Sequence, residues 1–197
     1  MFVLASESPR RQALLQQIGC DFIVHASHAE EVTDETLLPK DLVVQNAQAK
    51  ALAVAGEMGE YSILGADTVV ALDGHVYGKP ADGEAAKQML SKLSGRTHQV
   101  LTGIAFVAEG RVYSDVAVTE VCFAKLTQEE IEDYVATGEP MDKAGAYALQ
   151  GRAAVFIEGI RGSYSNVVGL PLRAVCQLAE RAKVDLYGDY GKGSAAR

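Results

Sequence analysis

"LASESPRRQALLQQIG", residues 4–19, carries the chain from a strand into a helix in a single step. Phe2-Val3-Leu4-Ala5 is a short apolar run that reads as a buried strand. Ser8 stands at the N-cap position and Pro9 at the first helical position. Leu14, Leu15 and Ile18 supply the apolar face, and Gly19 the stop. Arg10 and Arg11 then fall in the first turn, beside the positive end of the helix dipole. Backbone N–H groups at a helix start attract anions, and two guanidinium forks deepen such a site. Two solvated surface arginines are the plain alternative.

Working outward, Phe22-Ile23-Val24 is a strand, and residues 25–38 are polar with the acidic pair Glu30-Glu31. Pro39 to Ala55 reads as a helix ended by Gly56. Ser62-Ile63-Leu64 leads into "GADTVVAL", and Asp73-Gly74 is a two-residue hairpin signal with Val76-Tyr77 returning. A helix is expected from Asp82 to Leu93. Val100–Ala108 and Val112–Phe123 alternate as a meander around Glu109-Gly110. Thr127 and Glu130 make a capping box for a helix stopped by Gly138. "GEPMDKAGAYALQG", residues 138–151, is a long glycine-containing loop, a length that points to function. Val155-Phe156-Ile157 reads as a strand, and a last helix runs from about Pro171 to Ala182. Strands and helices alternate at first, and strands then cluster. The expected fold is α/β, a mixed twisted sheet flanked by helices. Residues 1–184 form one domain, and 185–197 read as a flexible C-terminal tail.

The 197 residues are 48% apolar and 22% charged, which suits a folded core. No apolar run is long enough to span a bilayer, and the N-terminus lacks the basic start and apolar core of a signal peptide. Cys20, Cys122 and Cys176 are odd in number, far apart and unlike a metal-binding pattern. A cytoplasmic protein with no membrane partner is expected. The net charge of −8 argues against nucleic acid as a partner, because such a surface repels polyanions. It leaves room for a compact basic pocket that takes a small phosphorylated ligand.

Several residues break local rules. Lys50 falls on the stripe formed by Val43, Ala47 and Val54, so it either snorkels or points into a cleft. On the stripe alone, Met at position 50 packs as well as lysine or better. Asp67 stands between Gly65-Ala66 and the β-branched run Thr68-Val69-Val70. Small neighbours give a carboxylate the space that a metal ligand or general base needs; an Asx-turn residue is the alternative. Lys79, between Gly78 and Pro80, has only its ammonium to offer. Asp142 and Lys143 read equally as a surface ion pair. The four histidines form neither a triad nor a zinc set. Together the cations and carboxylates, each punctuated by glycine or proline, suit polyphosphate and divalent metal.

The sequence resembles the Maf family, the septum-formation-inhibitor-like nucleoside triphosphate pyrophosphatases. The matching stretches are "LASESPRRQALL" (4–15), "GADTVV" (65–70), "GKP" (78–80), "LSGRTHQVLTG" (93–103), "GEPMDKAGAYALQG" (138–151) and "GSYSNVVGLPL" (162–172). The resemblance implies a Maf/ITPase-like fold with two lobes around a nucleotide cleft, commonly a homodimer, and a divalent cation, Mg2+ or Mn2+. The "DKAGAYALQG" loop resembles the branch acting on dTTP and UTP, with CTP and modified pyrimidine nucleotides as further candidates. By the same resemblance Asp67 is the proton acceptor, and Arg11, Thr68 and Gln150 govern substrate choice. Ser6, Arg10, Lys50 and Lys79 match positions that bind substrate phosphates, and Glu31 joins Asp67 at the metal. A non-catalytic nucleotide-binding regulator of septum formation is the rival reading; loss of the acid or the phosphate cations would mark it, and all are present.

Overall fold

A computed structural model describes residues 1–34 and 36–188 of the chain. Strands β1 (Phe2–Leu4), β2 (Phe22–Val24), β3 (Ser62–Leu72), β4 (His75–Tyr77), β5 (Thr97–Ala108), β6 (Arg111–Phe123) and β7 (Ile157–Arg161) form one sheet. Its order is β2-β1-β3-β5-β6-β7, with β4 paired to β3. The short strands β2 and β1 run parallel to each other and to β3; all the other pairings are antiparallel. This is the expected mixed sheet flanked by helices. Its two lobes share the long strands β3, β5 and β6.

Among the described residues, one face of the sheet carries a single helix, α2 (Pro39–Glu57). Ile63, Ala105 and Val107 pack against Ala47, Ala51 and Val54 at one end, and Val69, Ala71 and Leu101 against Val43 at the other. Between these ends the strands present Gly65 and Gly103. A Cβ on Gly65 would lie 2.2 Å from the Ala47 carbonyl oxygen, and one on Gly103 would lie 2.2 Å from that of Val43. The helix backbone therefore rests on the strand backbone, an approach that only glycine permits.

The opposite face holds two apolar clusters divided by a polar belt. Leu64, Ala66, Ile104 and Phe106 pack under α1 (Pro9–Gln17) and α6 (Leu172–Ala182). Val70, Val100, Val121 and Phe123 pack under α3 (Gly83–Leu93) and α4 (Gln128–Ala136). His98 is buried in this second cluster against Phe123 and Tyr147, and burial pushes its imidazole down to about 4, so it is neutral. The belt consists of Thr68, Thr102, Thr119 and Asn166, of which the last three are fully buried.

Elements stand where the sequence places them, with five differences. Helix α2 continues through Gly56, because Met58 still packs on the core beyond it. Residues 152–156 form a 3-10 turn that buries Ala153 and Phe156, and ladder pairing with β6 starts at Ile157, one bulge late. The 138–151 loop is compact, built from 3-10 turns, and Gly145 (φ 68°) lies flat on Val70. A short helix, α5 (Tyr164–Val168), occupies a stretch whose five residues are too few to show a period. Residues 185–188 stay on the domain: Leu186 belongs to the core and its carbonyl accepts from the Asp21 N–H. The rest of the expected tail, 189–197, lies outside the described residues.

Gly103→Ala is expected to destabilise the protein by the upper part of the ~1–3 kcal/mol typical of overpacking, because backbone cannot yield as a side chain does. Gly159→Ala, where a Cβ meets nothing within 4 Å, is the control. Urea unfolding of both variants reads the difference. A Gly103→Ala cost below about 0.5 kcal/mol would contradict the close approach.

Candidate active site

The outer edge of β3 is interrupted. β1 pairs with residues 62–64 and β4 with 70–72, so residues 65–69 face no strand on that side. A cavity of about 940 Å³ opens there, within the range of small-molecule sites. The start of α1, the strap at 31–34, the turn at Gly78-Lys79 and the 142–150 loop wall it. Asp67 and Thr68 stand side by side in this gap and, being neighbours in a strand, point to opposite faces of the sheet.

On the α2 face, Asp67 is nearly buried, at 7% exposure. Lys50 Nζ donates to Asp67 Oδ1 at 2.7 Å and to Glu31 Oε1 at 2.6 Å. Asn46 Nδ2 donates to Asp67 Oδ2 at 3.2 Å. The lysine on the apolar stripe thus reaches a cleft and does not snorkel. It can do so because Gly65 and Gly103 bring α2 close enough for position 50 to meet position 67.

On the other face, Arg11 ties three segments together. Its Nε donates to the Gly169 carbonyl at 2.9 Å, Nη1 to Ser6 Oγ at 3.0 Å and Nη2 to Thr68 Oγ1 at 3.1 Å. Burial pulls the Arg11 guanidinium below its ordinary value, with Asp67 acting against that shift; an arginine keeps its charge regardless. Thr68 Oγ1 also lies 2.9 Å from Thr102 Oγ1, which joins the cleft wall to the buried belt.

The rim is cationic. Arg10 Nη1 meets Asp142 Oδ2 at 3.3 Å, and Lys143 pairs with the other oxygen of the same carboxylate. Burial pushes Asp142 up, but bonds from Lys143 and Arg10 outweigh this and hold it below the ordinary carboxylate value. Lys79 lines the cavity without a hydrogen bond or ion pair among the described residues. Gln150 Nε2 donates to the Tyr164 hydroxyl at 3.0 Å. Ser8 caps α1 in position only. Its side chain makes no capping bond, and the helix start opens on the cavity.

The sequence profile of the Maf-like proteins matches residues 1–182. The chain belongs to the Maf family. A protein of Symbiobacterium thermophilum named dTTP/UTP pyrophosphatase is 51% identical over 89% of this chain and 91% of its own. Proteins of the same name from Thermococcus gammatolerans (48% identical, 91% of this chain, 96% of that one) and Bacillus thuringiensis subsp. konkukian (42%, 93% and 96%) are similar throughout. Among solved structures the chain is similar to the Staphylococcus aureus Ham1 protein, with a TM-score of 0.45 and 16% identity over 79% of this chain and 90% of that one.

In this Maf protein one cavity gathers Ser6, Arg10, Arg11, Glu31, Lys50, Asp67, Thr68, Lys79 and Gln150, the nine positions that the family resemblance implies for the site. Four others escaped that reading. Asn46 and Tyr164 bond to members of the set, and Thr102 and Asn166 support it from the belt. Asn46 had a legible signal: it is a polar residue four positions before Lys50, on the same helical stripe. Asn166 had none.

The expectation that Met packs well at position 50 is corrected by the ion pairs. Without the ammonium, the Asp67 carboxylate is left with Asn46 as its remaining hydrogen-bond partner among the described residues. Lys50→Met is expected to lower unfolding stability by about 3 kcal/mol, the low end for breaking a buried pair. The double variant Lys50→Met/Asp67→Asn is expected to regain most of it. Chemical denaturation of both checks this, and a Lys50→Met variant as stable as wild type would overturn it.

Proposed function

We propose that the protein hydrolyses nucleoside triphosphates to the monophosphate and pyrophosphate, with UTP and dTTP as preferred substrates. The observation that carries this reading is a carboxylate pair, Asp67 and Glu31, held at the foot of a nucleotide-sized cavity with a cationic rim. The name carried by relatives at 42–51% identity supports the substrate class.

In this reading Asp67 accepts a proton from the water that attacks the α-phosphorus. Asn46 engages Oδ2 and Lys50 engages Oδ1. When the Lys50 ammonium turns to the substrate phosphates, Oδ1 is released to act as the base. Arg10 and Lys79 face the β- and γ-phosphates, and the uncapped start of α1 adds backbone N–H groups pointing at anions. These charges offset the one that grows on the leaving pyrophosphate. Ser6 and Arg11 line the wall between phosphates and nucleoside. Thr68 and Gln150 stand on the nucleoside side, where the Gln150 amide offers a donor and an acceptor to the imide edge of uracil or thymine.

The residues present fit a divalent cation. Asp67 and Glu31 are hard oxygen donors, and the space between them already accommodates the positive charge of Lys50. No group of three or more acidic, histidine or cysteine side chains with metal-site spacing occurs among the described residues. Two carboxylates completed by substrate oxygens is the usual arrangement for Mg2+. Glu31 and Asp67 would hold the cation, and when bound it supplies electrostatic stabilisation of charge on the phosphate oxygens.

A panel of UTP, dTTP, CTP, ATP and GTP with pyrophosphate detection tests the reading. Wild type is expected to release pyrophosphate fastest from UTP and dTTP. Asp67→Asn, nearly isosteric, is expected to fold and to lose at least ~10²-fold in kcat. Stepwise release of inorganic phosphate, or near-normal turnover by folded Asp67→Asn, would contradict it.

A further inference from the structure

Asn46 makes three side-chain hydrogen bonds at the cavity. It is 3% exposed, on the face of α2 that rests on the sheet. Its Oδ1 accepts from the Val32 N–H at 2.8 Å, and its Nδ2 donates to the Val32 carbonyl at 3.2 Å and to Asp67 Oδ2 at 3.2 Å. One amide therefore treats Val32 as a strand neighbour would, while holding the carboxylate with its other N–H. The segment from 25 to 34 has no helix or strand of its own. Val32 is exposed, and nothing apolar anchors the strap at that point. Glu31 is the residue immediately before.

Glu31 has one other tie to the site, the Lys50 ammonium. That tie is lost whenever Lys50 changes partner. The Asn46 clamp is neutral and independent of Lys50. It keeps the strap in register with Asp67 without cancelling the charge on either carboxylate. We propose that Asn46 is a positioning residue: by clamping Val32 to Asp67 it fixes Glu31 opposite Asp67 for reaction. The inference rests on the reading above that these two carboxylates are the reactive pair.

The test compares the full chain with Asn46→Leu, a variant of similar volume with no polar group, in three measurements. They are amide hydrogen exchange at Val32, Mn2+ binding without nucleotide, and kcat and KM for UTP. Val32 exchange is expected to quicken while that of Leu64 and Ile104 stays slow, showing an intact core. Mn2+ affinity and kcat are each expected to fall by roughly 10-fold or more, the usual effect of losing a partner that orients a metal ligand. KM for UTP should move less than about 3-fold, since the phosphate cations and Gln150 are untouched. If Asn46→Leu does not fold, Asn46→Ser, smaller and polar but too short to bridge Val32 and Asp67, is expected to give the same losses. A folded variant with Mn2+ affinity and kcat near wild type overturns the proposal, whether or not Val32 exchanges faster. Glu31→Gln separates the two levels. If Glu31→Gln changes neither Mn2+ affinity nor turnover, the carboxylate-pair reading itself falls. If Glu31→Gln loses both while Asn46→Leu keeps both, only the clamp is wrong.

Discussion

The contact on which this structure turns is helix backbone against strand backbone. Gly65 and Gly103 lie on the same face of neighbouring strands, two residues apart in register, and no side chain separates them from Ala47 and Val43 on α2. With a Cβ at either glycine the helix would have to lift away, and Lys50 and Asn46 would move with it. Both reach Asp67 from that helix, and Asp67 is the register partner of Gly103. A packing constraint that spends two residues on having no side chain is therefore also what sets the polar geometry of the cleft.

A second constraint is the unpaired stretch of β3. An eleven-residue strand spanning both lobes gains neighbours at its two ends on the outer edge and none between them. The strand alternation there sends Asp67 to the α2 side and Thr68 to the belt side. Carboxylate chemistry and the Arg11 network thus occupy opposite faces of the same edge, one residue apart. The belt explains how the second of these is held. Thr102, Thr119 and Asn166 place buried polar groups where the two apolar clusters would otherwise merge. Asn166 Nδ2 bonds to the Val100 carbonyl and to Thr119, which fixes α5 and, beyond it, the Gly169 carbonyl that receives Arg11.

Much of this was legible in the sequence where signals are local. The hairpin at Asp73-Gly74, where both residues adopt positive φ, and the capping box at Thr127 and Glu130 were readable because turn chemistry and caps involve adjacent residues. Lys50 announced itself by interrupting an apolar stripe, although the stripe could not say that its partners were carboxylates. The rest depends on contacts far apart in the chain. Gly65 and Gly103 look like ordinary strand glycines until α2 is laid across them. The strand expected at 155–157 slipped to Ile157 because inward-facing Ala153 and Phe156 favoured a tight turn over pairing with β6. Asn166 is chosen by partners 47 and 66 residues distant, and no spacing in the sequence encodes them.

The central proposal is chemical: the groups gathered on α2 and β3 would direct water to the α-phosphorus of a nucleotide. Hydrolysis of UTP in oxygen-18 water, followed by mass analysis of both products, tests this most directly. The account predicts one labelled oxygen in the monophosphate and none in the pyrophosphate. Label in the pyrophosphate would place the attack on the β-phosphorus and contradict the assignment of the site.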